Sequence, residues 1–84
     1  MVDYLKMSRE LDEIIINFLN LNKGNAFTPD SLLKRITRDI QNTDMLEYLQ
    51  KNIEGELNKF AFSYKIDMHE HEGRMYFMMQ LPKN

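Results

Sequence analysis

Apolar residues recur with helical spacing at Leu11, Ile14, Ile15, Phe18 and Leu19, while Arg9, Glu10, Asp12, Glu13 and Asn17 fill the positions between. This spacing predicts an amphipathic helix from about Ser8 to Leu21. Ser8 is its expected N-cap, with acidic residues in the first turn where the helix dipole favours negative charge. The stretch "NKGN" at 22–25 ends it, because Gly24 takes positive φ without steric cost. Residues 1–7 either extend this helix or form an arm. Ala26 and Phe27 suffice for no more than a short strand or bridge. Thr28 followed by Pro29 then predicts an N-cap and a first helical residue. Leu32, Leu33, Ile36 and Ile40 line the buried side of that second helix, and Lys34, Arg35 and Arg38 project from the other.

A polar break, "QNTD", precedes the third helix, with Thr43 or Asp44 as expected cap and Asp44–Glu47 at capping-box spacing. Its predicted buried stripe is Leu46, Leu49, Ile53, Leu57 and Phe60. Gly55 falls opposite, where glycine costs about 1 kcal/mol relative to alanine. After Phe60 the period changes to two: Phe62, Tyr64, Ile66 and Met68 alternate with polar residues, and Met75, Phe77, Met79 and Leu81 alternate on the return. Facing residues of an antiparallel pair share a face. A four-residue loop over 70–73 and a two-residue turn at Glu72-Gly73 both keep apolar opposite apolar; a three-residue loop does not. Residues 61–81 are therefore expected to form a hairpin turned at Gly73. The predicted core gathers Leu11, Ile14, Ile15, Phe18, Leu32, Leu33, Ile36, Leu49, Ile53, Leu57, Ile66 and Phe77.

Eighty-four residues predict one domain, 1–84, near the lower size for a self-sufficient core. The absence of cysteine excludes disulfides and thiolate chemistry. No apolar run approaches the roughly 20 residues of a membrane span, and charges interrupt the N-terminus, so a soluble intracellular protein without membrane contact is expected. The net charge of −2 gives no global basic surplus of the kind that phosphate binding favours. Nucleic-acid binding would rest on local patches.

The succession of helix, short strand, helix, tight turn, helix and hairpin resembles the winged helix-turn-helix superfamily over about Ser8 to Leu81. "SRELDEIIINFLNLN" matches the first helix, "AF" the short strand, "TPDSLLKRI" the second helix and "TDMLEYLQKNIEGELNKF" the recognition-helix position. "FSYKIDMHEHEGRMYFMMQL" matches strand, wing and strand. The resemblance implies a mainly α fold with a small C-terminal β-hairpin wing. It also implies that the third helix enters the major groove while the wing touches the backbone. By position, the exposed third-helix candidates are Glu47, Tyr48, Gln50, Lys51, Glu54 and Asn58. Gln50 and Asn58 are suited to adenine edges and Lys51 to guanine or phosphate. Lys34, Arg35, Arg38 and the wing's Arg74 would hold the backbone. Against this, residues 44–59 carry four acidic residues and two lysines. A transcription-type DNA binder is the first expectation, and an acidic protein-docking module the alternative.

Asp67, His69 and His71 fall on one face of a strand, a donor set that zinc accepts. A solvated "HEHEG" tip is the expected reading instead, with no metal and no other cofactor. Met68, Met75 and Met79 are assigned to the buried hairpin face, and Tyr76 with Met78 to a contact patch on the other. That patch and residues 1–7 offer apolar surface for a homodimer. Ser8, Ser31 and Ser63 lack a partnering base and no phosphate loop occurs, so no enzymatic role is expected.

Overall fold

A computed structural model describes residues 3–63 and 65–80. The first helix, α1, spans Tyr4–Leu21, four residues longer at its start than the apolar spacing predicts. Asp3, not Ser8, is the N-cap, and its carboxylate accepts from the Lys6 amide at 3.1 Å. Residues 4–7 therefore extend the helix, and Met7 joins its buried stripe with Leu11, Ile15 and Leu19. The first turn holds no acidic residue; Glu10, Asp12 and Glu13 sit mid-helix, away from the dipole's positive end. Gly24 adopts φ +85° and its amide donates to the Met79 carbonyl at 3.0 Å, tying the end of α1 to the chain near its C-terminal end.

The second helix, α2, spans Pro29–Ile36 with Thr28 capping it through the Ser31 amide, as expected. A single 3-10 turn, Thr37–Asp39, leads into the break before α3, which spans Thr43–Phe62. Neither Thr43 nor Asp44 caps α3. Asn42 does, accepting from the amides of Asp44 at 2.9 Å and Met45 at 3.2 Å. With the cap one residue earlier, Asp44–Glu47 no longer has the spacing of a reciprocal box. Met45 is buried and Leu46 only half-buried.

Strands β1, Asp67–His71, and β2, Arg74–Met78, pair antiparallel with Met68 opposite Phe77 and His71 opposite Arg74. That is the two-residue turn. Glu72 and Gly73 both take positive φ, +51° and +79°, as a primed hairpin turn demands. The hairpin begins later than expected, because α3 continues through Phe62, which is 78% exposed. The expected partners Tyr64 and Leu81 lie outside the described residues. Phe27 forms the anticipated bridge: it exchanges two backbone hydrogen bonds with Phe77, at 2.9 and 2.8 Å. The sheet thus orders as the Phe27 bridge, β2, β1.

Three helices and this hairpin enclose one core of Leu11, Ile15, Leu19, Leu32, Ile36, Leu49, Leu57 and Phe77, with Phe27, Ile40, Ile53, Phe60 and Ile66 around it. Ile14, Phe18 and Leu33, expected inside, are half-buried and pack against its rim. Met68 and Met75 share the face of Phe77 but stand 38% exposed, since they lie farther toward the turn. Among the described residues no helix is long and apolar enough to cross a membrane. The arrangement is compatible with a winged-helix-like domain.

Candidate nucleic-acid interface

The basic residues of α2 part company. Lys34 lines a shallow groove with Thr28, Asp30, Ser31, Arg74 and Met75, so helix and hairpin bring two cations to one place. Arg35 turns the other way and lays its guanidinium 5.8 Å from the Phe18 ring centroid on α1. That stacking leaves its charge intact. Arg38 sits exposed in the 3-10 turn. Sequence spacing alone did not foresee the Lys34–Arg74 pairing, because the two are 40 residues apart along the chain.

The third-helix candidates divide as well. Gln50 and Lys51 are exposed, as are Glu47 and Glu54 beside them. Asn58 is half-buried and, with Glu54, looks into a cleft bounded by Pro29, Met75 and Phe77, between α3 and the hairpin. Tyr48 is not on the open face. Its ring lies 6.2 Å from that of Tyr4, and its hydroxyl donates to Glu56 Oε1 at 3.1 Å. The extra first turn of α1 is what covers it. Lys51 borders the cleft of about 220 Å³ that Tyr4, Met7 and Tyr48 make there.

Glu56 is the residue that the sequence reading missed. It is not among the exposed candidates of the third helix, and it is buried at 7% exposure although it carries a carboxylate. The signal was its position: three residues after Ile53 and four before Phe60, it sits within the apolar stripe. Burial is tolerated because the charge is met by donors. Lys59 Nζ donates to Glu56 Oε2 at 2.7 Å and to Asp12 Oδ2 at 2.8 Å. The Tyr48 hydroxyl and, at 3.4 Å, the Ser8 hydroxyl donate to Oε1. Burial pushes the Glu56 carboxyl up, but hydrogen bonds from Asp12 and Lys59, with the charge of Lys59, bring it below the ordinary glutamate value. Asp12 moves the opposite way: burial and the facing Glu56 raise it more than Lys59 lowers it. Lys59, although desolvated, is raised by its two carboxylates.

On the hairpin, the register sets Asp67, His69 and His71 on one face with Met78, Tyr76 and Arg74. Asp67 accepts from Gln80 Nε2 at 2.7 Å, and His71 lies opposite the cationic Arg74. Among the described residues no three histidine, aspartate or glutamate side chains are placed to hold a metal ion. Tyr76 and Met78 are half-buried.

Comparison of the chain with protein-family models, with curated proteins and with solved structures found no match.

Proposed function

We propose that this protein is a small winged-helix DNA-binding protein of the transcription-regulator type, reading duplex DNA with the open face of α3 and holding its backbone with α2 and the hairpin. The observation that carries this reading is the juxtaposition of Lys34 and Arg74 in one groove, beside the cleft where Glu54 and Asn58 meet the hairpin. A helix laid in the major groove with Gln50 and Lys51 outward would set both cations toward flanking phosphates. Arg38 adds a third exposed charge at the end of α2. Gln50 and Asn58 then act as base readers and Lys51 as a phosphate or guanine contact. Tyr48, engaged with Glu56, has no role at the DNA.

A specific observation favours a second reading, a protein-docking winged helix. Glu47 and Glu54 are exposed to either side of Gln50 and Lys51, and each would face phosphate with like charge. Two exposed methionines, Met68 and Met75, suit an adaptable protein contact.

Fluorescence polarisation against random duplex, at low and moderate salt, separates the two. DNA binding predicts affinity that falls steeply with salt, and a slope reduced by about one unit per lost phosphate contact in Lys34→Glu and Arg74→Glu. Gln50→Ala and Asn58→Ala should relax sequence preference and leave that slope unchanged. Absence of binding at low salt with about 100 μM protein, weaker than ordinary non-specific association, would defeat the DNA reading.

A further inference from the structure

The contact between α1 and α3 contains a polar group in a place where apolar packing would serve. Five side chains meet there: Ser8 and Asp12 from α1; Tyr48, Glu56 and Lys59 from α3. The donors are unequally shared. Glu56 receives three hydrogen bonds, from Lys59, Tyr48 and Ser8, whereas Asp12 receives one, from Lys59, through Oδ2. Its other oxygen, Oδ1, is buried with no donor among the described residues. A buried carboxylate oxygen without a donor loses its hydration with nothing in return, the more so when charged, and native structures rarely leave one unexplained. Asp12 and Glu56 also lie side by side, since both accept from the same Lys59 Nζ, at 2.8 and 2.7 Å. Two carboxylates sharing one lysine carry a net negative charge at a place where Glu56 is buried and Asp12 half-buried, while Lys59 reaches out to solvent.

We propose that Asp12 and Glu56 share a single proton that locks α1 onto α3, making the seating of α3 sensitive to acidity. The proton sits on Asp12, the acid with fewer donors, and points to Glu56, which stays ionised against Lys59, Tyr48 and Ser8. With it in place the site is neutral overall: one carboxylate, one ammonium, one acid. Loss of the proton leaves two carboxylates on one ammonium and Asp12 Oδ1 bare. The groups facing the pair are Tyr48 and Lys59 from α3 and Ser8 from α1, so among the described residues Lys59 alone is bridged to the two carboxylates.

The signs follow by linkage. Asp12, raised in the folded protein, contributes stability below its unfolded value that is lost as pH rises through its folded one. Glu56, lowered, contributes stability above its unfolded value that is lost as pH falls through its folded one. The α1–α3 contact is therefore tightest between the two titrations, where the pair holds one proton. Because Tyr48, Glu56 and Lys59 all belong to α3, loosening this contact loosens the seating of that helix on α1.

Thermal unfolding from about pH 4 to about pH 8 tests the proposal, comparing the wild type with Asp12→Asn, which keeps the shape and a donor but cannot lose a proton. Between mildly acidic and neutral pH the wild type should lose at least about 2 °C more than the variant. Parallel profiles would overturn the proposal. Carboxyl-carbon NMR titration of the unmutated protein stands independently of whether the variant folds. Asp12 should titrate above its ordinary value and Glu56 below, each resonance showing the inflection of the other as coupled sites do. An Asp12 carboxyl titrating at or below the ordinary aspartate value, without a second inflection, would refute the shared proton.

Discussion

Phe77 and Phe62 are both phenylalanines at positions that hairpin alternation assigns to the same buried face, and the structure gives them opposite surroundings. Phe77 is 2% exposed, with its backbone paired to Phe27 on one side and Met68 on the other. Phe62 is 78% exposed at the last turn of α3. A phenylalanine side chain buries about 150–250 Å² when fully enclosed. At about 25 cal/mol per Å², that makes Phe77 worth roughly 4–6 kcal/mol, and the small buried part of Phe62 roughly 1 kcal/mol. Truncation at Phe77 adds a cavity term that relaxation partly offsets, so Phe77→Ala should cost about 3–5 kcal/mol. A domain of 84 residues has a total stability of about 4–13 kcal/mol, so this single change threatens folding. Phe77→Leu, at about 1–2 kcal/mol, gives a graded variant that stays folded. The Phe62→Ala change should cost under about 1 kcal/mol. Urea denaturation with matched m-values measures all three, because midpoint shifts then report stability alone. Equal losses for Phe62→Ala and Phe77→Ala, or a loss below about 1 kcal/mol at Phe77, would refute the placement of the core.

Two further outcomes follow from local geometry. A Cβ at Gly55 meets nothing within 4 Å and α3 runs through it unbroken, so Gly55→Ala should raise stability by up to about 1 kcal/mol in urea melts; any partner that needs close backbone approach there would bind the variant more weakly. Asn42→Ala should destabilise by about 0.5–2 kcal/mol through the lost cap, whereas Thr43→Ala, at the residue expected to cap, should change the melt by less than about 0.5 kcal/mol.

The elements of this chain follow from short-range rules that need no tertiary knowledge. Thr28-Pro29 begins α2 because the hydroxyl finds the Ser31 amide whatever else is nearby, and Gly73 turns the hairpin because only a positive φ closes a two-residue loop. The apolar stripes of α1 and α3 likewise state which face turns inward. The ends of the elements escaped these rules. Ser8 has the chemistry of a cap, but the helix continues past it because Met7 gains burial in the core, and Asp3 caps equally well. Phe62 fits a strand by alternation, yet α3 carries it onto an exposed face, since propagating a helix already formed costs little. The site shows the same division. Which residues are cationic is written in the sequence. Only the docking of α2 against the hairpin joins Lys34 to Arg74, and only the lengthened α1 takes Tyr48 off the open face. Glu56 makes the physical reason plain. A carboxylate in an apolar stripe is tolerable only if donors meet it: Lys59 and Tyr48 come from α3 itself, and the packing of α1 on α3 adds Ser8 and holds Lys59 through Asp12. Periodicity reports the direction in which a side chain points; what it meets there is decided by the partner element.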